Sequence, residues 1–254
     1  NPTSCSATVG IGQTLTFVVF SPNALQTASN YTLTVEAPVG CGAGPACSWS
    51  PATAYPINVL DQACVTVGST LYSFAGVGSN AVIAASYQFN GTVWTPIAPT
   101  PQALEYPAAC TDGTNIYILG GASSTGTPLT TLYRYNVASN TYTTLAPFTT
   151  GVWNPTAVYS GGKIYKFCGT AAAGSTNALE IYDIASNTWT TGASYPAARS
   201  FVSAIARGGF IYAGGGIATS GSVTSNKTYR YDPATNTWDD AAIADLPATR
   251  WGSA

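Results

Sequence analysis

Short apolar stretches alternate with polar turns along this chain, and the alternation recurs. One stretch, Tyr182–Trp189, reads YDIASNTW, and three further copies read YQFNGTVW, YNVASNTY and YDPATNTW. In chain order the first tyrosines of the four copies are 48, 47 and 49 residues apart. A period of this length with one turn block per repeat is typical of a repeat architecture.

A second motif precedes the first in every repeat. It is a short apolar strand that carries a tyrosine and ends in glycine, as in LYSFAG, IYILGG and IYKFCG. The best-formed repeat adds strands at Phe201–Ala206, Phe210–Ala213, Thr228–Tyr231 and from Trp238. Short strands separated by turn signals predict an all-β fold, and no stretch shows sustained helical periodicity.

These motifs resemble those of the kelch-repeat family. The Pro-x-x-Arg segments Pro196–Arg199 and Pro247–Arg250 extend the resemblance, which covers about residues 51–254. It implies a β-propeller of four-stranded blades around a central axis. The chain departs from the family pattern where Cys168 replaces a glycine of the third repeat and Tyr142 replaces the tryptophan of the second. The first repeat has AGVG in place of a glycine pair.

The first 50 residues continue the repeat spacing in a weaker form. Pro56 precedes Tyr72 by 16 residues, as Pro196 precedes Tyr212, and Trp49 takes the place of the repeat aromatic. The C-terminal stretch LPATRWGSA begins as a first strand would begin. Closure of a propeller removes exposed sheet edges. We therefore predict a kelch-type β-propeller of five four-stranded blades, closed by pairing of the N- and C-terminal segments.

This prediction divides a single domain, residues 1–254, into repeats. They are a degenerate N-terminal blade (1–52), four kelch-like repeats (53–100, 101–148, 149–195 and 196–245) and a closing strand (246–254). The fifth blade would combine residues 12–52 with the closing strand. Two alternatives stay open. Residues 4–9 could form that blade's own first strand and leave 246–254 to pair with another molecule, or the chain is a fragment of a longer propeller.

The composition indicates which classes of binding partner to expect. Only 7% of the residues are charged, against roughly 25% in an average soluble protein. The net charge of −2 gives no broad field that would attract nucleic acid or an anionic membrane. No apolar run is long enough to predict membrane insertion. A surface poor in charge lacks colloidal repulsion and favours association.

The cysteines and sequons favour an oxidising compartment. An even number of cysteines predicts disulfide bonds in a secreted or cell-surface protein. The six are Cys5, Cys41, Cys47, Cys64, Cys110 and Cys168. A first residue that is not Met, and the absence of Met, add the expectation of a processed chain. Three sequons predict possible glycosylation at Asn30, Asn90 and Asn226.

The sequence contains few side chains that could act in catalysis. Without histidine the chain has no Ser-His-Asp or Cys-His nucleophile system. The kelch family includes copper-radical oxidases that resemble galactose oxidase and need histidine ligands, so that activity does not transfer. The neighbouring Asp239 and Asp240 would point to opposite faces of a strand and cannot act together. Lys163 and Lys166 are interpreted as a solvated strand edge. We predict no enzyme, no metal and no cofactor.

Three residues are candidate ligand contacts at one axial end of the ring: Glu105, Arg199 and Arg250. A salt bridge or carbonyl-capping role explains them equally well. The leading function is a non-catalytic extracellular structural or interaction protein. Its partners would be copies of itself, as a homo-oligomer or filament, or other extracellular proteins. Two alternatives remain: a lectin-like propeller that binds glycans through exposed Tyr and Trp rings, and a fragment of a longer secreted kelch protein.

Overall fold

The computed structural model describes residues 52–218 and 223–252, and these residues form β-sheets joined by turns and loops. Four sheets follow one another along the chain, one for each predicted repeat, and each is antiparallel. The all-β kelch propeller prediction is confirmed. The described part contains four blades rather than five, and the predicted degenerate blade at 1–52 lies outside it except for its last residue.

The strands of each blade are hydrogen-bonded in the order given. Blade 1 contains β1 (Ala63–Val67), β2 (Thr70–Val77), β3 (Val82–Phe89) and β4 (Trp94–Ile97). Blade 2 contains β5 (Ala108–Thr111), β6 (Asn115–Leu119), β7 (Leu132–Asn136) and β8 (Thr141–Thr144). Blade 3 contains β9 (Thr156–Ser160), β10 (Lys163–Phe167), β13 (Leu179–Asp183) and β14 (Thr188–Gly192). Blade 4 contains β15 (Ser200–Arg207), β16 (Phe210–Ala218), β18 (Thr228–Asp232) and β19 (Thr237–Asp239).

Three short strands lie in loops between the second and third strands of blades 3 and 4. The hairpin of β11 (Thr170–Ala171) and β12 (Gly174–Ser175) follows β10. In blade 4, β17 (Val223–Thr224) pairs with the end of β16. Because the strands alternate in direction, these loops lie at the same end of each blade as the segment that leads into its first strand.

Neighbouring blades are joined by cores to which both contribute. The first strands contact each other in sequence, β1 with β5, β5 with β9, and β9 with β15. The repeat tyrosines lie in the cores between them, which confirms their structural role. Between blades 1 and 2 they are Tyr72 and Tyr135, between blades 2 and 3 Tyr117 and Tyr182, and between blades 3 and 4 Tyr165 and Tyr231.

The repeated turn block also joins one blade to the next by hydrogen bonds. In blade 3 the Asn187 Oδ1 accepts the Tyr182 hydroxyl at 2.7 Å and the backbone N–H of Ala146 in blade 2 at 2.9 Å. The Trp189 Nε1 donates to the carbonyl of the same alanine at 2.7 Å. We call this arrangement the asparagine staple. Blades 2 and 4 repeat its asparagine contacts with Tyr135, Asn140 and Ala98, and with Tyr231, Asn236 and Ala193.

The segment before β1 occupies the place of the end of a preceding blade. The Trp94 Nε1 of blade 1 donates to the carbonyl of Thr53 at 3.3 Å, as Trp189 does to Ala146. Thr53 follows Trp49 by four residues, just as Ala98 follows Trp94. The contact agrees with the register that assigned Trp49 to a repeat, although Trp49 itself lies outside the described residues.

The predicted closing strand, 246–254, is described as far as residue 252. It forms no extended strand there, but Arg250 makes an isolated bridge with Ser225. The Leu246 N–H donates to the Asn226 carbonyl at 2.8 Å, and the Gly252 N–H donates to the Phe201 carbonyl at 3.4 Å. The segment therefore lies against blade 4.

Candidate functional site at the axial end

The residues that lead into the first strands converge at one end of the propeller axis. We call them lead-in segments; they are residues 59–62, 104–107, 152–155, 199–202 and 250–252. Each contains one residue with a left-handed backbone: Asp61, Tyr106, Asn154, Phe201 and Gly252, with φ between 52° and 62°. The backbone N–H of Tyr106 donates to the Asp61 carbonyl at 3.1 Å, and the backbone N–H of Asn154 donates to the Tyr106 carbonyl at 2.9 Å. These bonds link the blades around the axis.

The glycines that end the second strands fix the lead-in segments. In every blade the second strand ends in a pair of residues, which we call the strand end, and its second residue is glycine. The N–H of this glycine donates to a backbone carbonyl in the lead-in segment of the following repeat at 2.8–2.9 Å. The pairs are Gly76 with Leu104, Gly121 with Val152, Gly169 with Arg199, and Gly216 with Arg250. Glycine is required because a Cβ on Gly121 would lie 2.8 Å from the Glu105 carbonyl. Arg199 and Arg250 thus occupy equivalent backbone positions.

An aromatic cluster covers this end of the axis. The ring of Tyr106 lies 5.1 Å from that of Trp153 and 5.8 Å from that of Phe201, between centroids. Phe201 in turn lies 4.9 Å from Trp251, whose side chain is 39% exposed. We call these four residues the axial aromatic cluster. Sequence reasoning missed it because its rings occupy two different positions of the lead-in segment and so follow no single spacing.

A cleft of about 140 Å³ opens beside the cluster, lined by Glu105, Tyr106, Ala122, Gly126 and Trp153. Two backbone hydrogen bonds hold Glu105 there: its N–H donates to the Ala122 carbonyl at 2.9 Å, and the Ala122 N–H donates back at 2.7 Å. Of the three residues predicted at the axial end, Glu105 is the one that lines this cleft. Its role in binding a ligand stays a prediction.

Asp61 adds a second acidic group close to the cleft. Burial, together with a smaller contribution from the charge of Glu105, raises the pKa of its carboxyl to about 6, although a hydrogen bond with Tyr106 opposes this shift. Burial, together with Asp61, raises the pKa of the Tyr106 phenol above its ordinary value. The Asp61 Oδ2 is buried and accepts no hydrogen bond from the described residues. Asp61 was not predicted as a site residue.

Arg199 and Arg250 do not line the cleft. The Arg199 Nη1 donates to the carbonyl of Val223 at 2.7 Å, within blade 4. The Arg250 Nε lies 3.5 Å from the carbonyl of Ala248, and this residue takes part in at least one further interaction. Both arginines therefore cap carbonyl groups, which was the structural alternative for them. Their predicted role as ligand contacts stays untested.

The sequons differ in their suitability for a glycan. Asn90 is exposed in the turn between β3 and β4, where its Oδ1 accepts the N–H groups of Thr92 and Val93. Asn226 is half-buried, and its Nδ2 donates to the Leu246 carbonyl at 3.3 Å. A glycan on that nitrogen would compete with the hydrogen bond. Asn30 lies outside the described residues. Glycosylation at all three remains a prediction.

The described cysteines are free thiols. Cys64, Cys110 and Cys168 belong to blades 1, 2 and 3, and no disulfide joins any two of them. Burial raises the pKa of the Cys64 thiol to about 11 and that of the other two thiols further. The predicted disulfide bonds are therefore not shown for these three residues. The other three, Cys5, Cys41 and Cys47, lie outside the described residues.

The interpretation of Lys163 and Lys166 as a solvated strand edge is wrong for Lys166. Its side chain is fully buried, and its ammonium lies 2.6 Å from the Glu180 Oε2 and 4.5 Å from the centroid of the Phe148 ring. The Thr149 N–H donates to the other oxygen of Glu180 at 2.7 Å. Lys163, in contrast, is half-exposed and its ammonium lies 3.4 Å from the Asp183 carboxylate. The sequence gives no sign of the buried pair, because Lys166 and Glu180 meet only through the register of β10 with β13.

Three acidic residues in and after the last strand of blade 4 are held in ion pairs. Asp239 pairs with Arg230, and Asp240 and Asp245 both pair with Lys227. No group of three or more Cys, Asp or Glu side chains in 52–218 and 223–252 is placed to hold a metal ion. In the same part of the chain, no helix is long and apolar enough to span a membrane.

Antiparallel four-stranded blades, glycine-ended second strands and a shared axial end define the class of this protein as a β-propeller. The family model described as the KLHDC2/KLHL20/DRC7 Kelch-repeats domain matches residues 56–253. The chain belongs to this family of kelch-repeat propellers.

A comparison with solved structures bears on the fold. The solved structure of YjhT superposes with a TM-score of 0.64 and 17% sequence identity, and the match covers 77% of this chain and 68% of YjhT. At this identity the similarity concerns the fold alone. Among curated proteins no match was found.

Proposed function

We propose that this protein is a non-catalytic extracellular scaffold that binds other proteins, copies of itself included, at the axial end of the propeller. Kelch propellers typically serve as protein-interaction scaffolds. The axial aromatic cluster is the observation that carries the proposal here. Buried and half-exposed tyrosine and tryptophan side chains contribute most of the binding energy of many interfaces.

Charge and chemistry support the same reading. The surface is poor in charged residues, which make up 7% of the chain, so self-association meets little electrostatic repulsion. The described aspartates of blade 4 are engaged in ion pairs with Lys227 and Arg230. A non-catalytic role needs no further titratable groups. The secreted location rests on the cysteine count and the sequons.

Light scattering and electron microscopy of the purified full chain would test the scaffold proposal. We expect oligomers or filaments that weaken when Trp251 is changed to alanine, because the ring is 39% exposed at the axial end. Val93→Ala is the matched control, since Val93 is 52% exposed in the turn at the opposite end of blade 1. A strictly monomeric particle that also binds no extracellular protein would overturn the proposal.

Glycan binding is the second candidate, favoured by the lining of the axial cleft. Tyr106 and Trp153 can stack on a sugar ring. The Asn154 Nδ2 on the same axis is a buried donor without an acceptor among the described residues. A glycan array would show hits that are lost in Trp153→Ala. The absence of any hit would remove this candidate.

A further inference from the structure

The axial cleft combines aromatic faces with carboxylates. Tyr106 and Trp153 line it with their rings tilted by 38°, and Glu105 lies on the same lead-in segment as Tyr106. Asp61 approaches from the neighbouring segment, where its backbone carbonyl accepts the Tyr106 N–H. A cation is attracted both by aromatic faces and by carboxylates, so this lining suits a positively charged group.

The negative charge of the cleft is not compensated within the described residues. Five ion pairs join side chains in 52–218 and 223–252, and neither Glu105 nor Asp61 takes part in them. The titratable groups that act on Asp61 are Tyr106 and Glu105, and neither is cationic. Arg199, which was a candidate for this end of the axis, donates instead to the Val223 carbonyl. A neutral ligand would leave both acidic groups without a counter-charge.

We propose that the axial cleft accepts a lysine or arginine side chain from a partner protein. The cationic head would lie against Glu105 and the rings of Tyr106 and Trp153, and the aliphatic stem would cover the rest of the axial aromatic cluster. The inference rests on the proposed scaffold function for the origin of the side chain. It adds the chemistry of the partner: a basic segment rather than an acidic or apolar one.

Titrations with small amides test the cleft without a partner protein. The probes are the N-acetyl amides of lysine and arginine, with N-acetylcitrulline amide as the neutral isostere of arginine and methyl galactoside as a sugar. Tryptophan fluorescence and NMR shifts of the full chain report binding. We expect saturable binding of the two cationic probes and at least about tenfold weaker binding of citrulline, because the charged hydrogen bond is lost.

Variants locate the binding. Glu105→Gln and Trp153→Ala should each weaken arginine-amide binding about tenfold, since each removes one of the two attractions. Asp240→Asn is the control, because it removes an exposed carboxylate after the outermost strand of blade 4. Binding should also weaken as the pH falls through about 6, where the Asp61 carboxyl takes up a proton. Asp61→Asn should abolish that pH dependence.

The outcomes separate this inference from the scaffold function. Equal binding of citrulline, preference for the sugar, or no effect of Glu105→Gln would overturn the cationic site. If oligomers or complexes form and are unchanged by Glu105→Gln, the scaffold stands and the cationic site is refuted. If the protein stays monomeric and unbound while the arginine amide binds as expected, the scaffold fails and the cleft chemistry stands.

Discussion

Asn187 shows how one side chain of the repeat holds two blades together. Its backbone is left-handed, with a φ of 55°, which asparagine tolerates better than most residues. Its Oδ1 accepts one hydrogen bond from its own blade and one from blade 2. The turn block therefore determines both the local hairpin and the spacing between blades.

Substitutions at Asn187 separate these roles. Asn187→Gly keeps the left-handed backbone but removes both hydrogen bonds, so we expect a loss of about 1–3 kcal/mol in the free energy of unfolding. Asn187→Ala adds the strain of a left-handed alanine, about 1 kcal/mol more. Asn187→Asp keeps an acceptor and should stay close to the wild type. Urea unfolding measures all three, and an aspartate variant as unstable as the glycine variant would contradict the asparagine staple.

The Lys166–Glu180 pair is the most buried ionic contact among the described residues. Burial lowers the pKa of the Lys166 ammonium below its ordinary value, although Glu180 opposes this. Burial alone would raise the pKa of Glu180, but the charge of Lys166 and the Thr149 N–H outweigh it and lower that pKa. A lowered carboxyl pKa stabilises the fold above the unfolded-state pKa near 4.5, and this contribution disappears as the pH falls through the folded-state value.

Removing one member of this pair should cost more than removing both. Glu180→Gln leaves the Lys166 ammonium buried without its counter-charge, so we expect a loss of about 3–5 kcal/mol at neutral pH. The double variant Lys166→Met with Glu180→Leu replaces both charges by apolar groups and should recover most of that loss. Chemical denaturation at pH 7 gives the comparison. A double variant less stable than Glu180→Gln would show that the pair itself is strongly stabilising.

At the scale of the strand, the second-strand ends position the axial site. Both residues of each strand end have positive φ, including Ala75 and Cys168, which replace glycine at the first position. The structure thus keeps the left-handed backbone even where the sequence departs from the glycine pair. The second position is always glycine because the lead-in segment of the same blade passes within 2.6–3.1 Å of where a Cβ would lie.

Gly121→Ala tests this close approach. The new methyl group would lie 2.8 Å from the Glu105 carbonyl at a φ of 89°, so we expect a loss of about 3 kcal/mol or more in unfolding free energy. Gly161→Ala is the matched control, since that glycine also has a positive φ of 58° but open space around it. It should cost about 1 kcal/mol. Equal losses in the two variants would mean that the lead-in segment moves aside.

The elements that repeat at a fixed spacing were predictable, and the features that depend on contacts between strands were not. The tyrosines Tyr72, Tyr117 and Tyr165 recur with their strand, so their place in the blade cores followed from sequence. Lys166 was misread because its partner stands across a strand pair. The axial aromatic cluster was missed because its rings occupy two different positions of the lead-in segment: Tyr106 has the left-handed backbone, whereas Trp153 precedes the left-handed residue. Glu105 was found because it belongs to a lead-in segment.

At the scale of the whole molecule, the two ends of the described part have complementary features. Thr53 lies where the end of a preceding blade would lie, and Arg250 and Gly252 lie where the lead-in segment of a following blade would lie. The face of blade 4 that points away from blade 3 presents Ile205, which is 63% exposed. The equivalent residues of blades 2 and 3, Cys110 and Val158, are buried against the next blade. A cleft of about 410 Å³ on this face is lined by Ile205, Arg207, Tyr212 and Ile243.

We expect residues 12–52 of the same chain, combined with the closing strand 246–254, to cover this face as the fifth blade. Ile205→Asp should then lower the unfolding free energy by more than about 3 kcal/mol, because it would bury an unpaired charge. Val93→Asp, at a side chain 52% exposed, is the control and should change little. Closure within one chain makes the unfolding midpoint independent of protein concentration, whereas closure by a neighbouring copy makes it rise with concentration. If Ile205→Asp leaves the free energy of unfolding unchanged, the face stays open to solvent. If the unfolding midpoint rises with protein concentration, the covering blade belongs to another molecule.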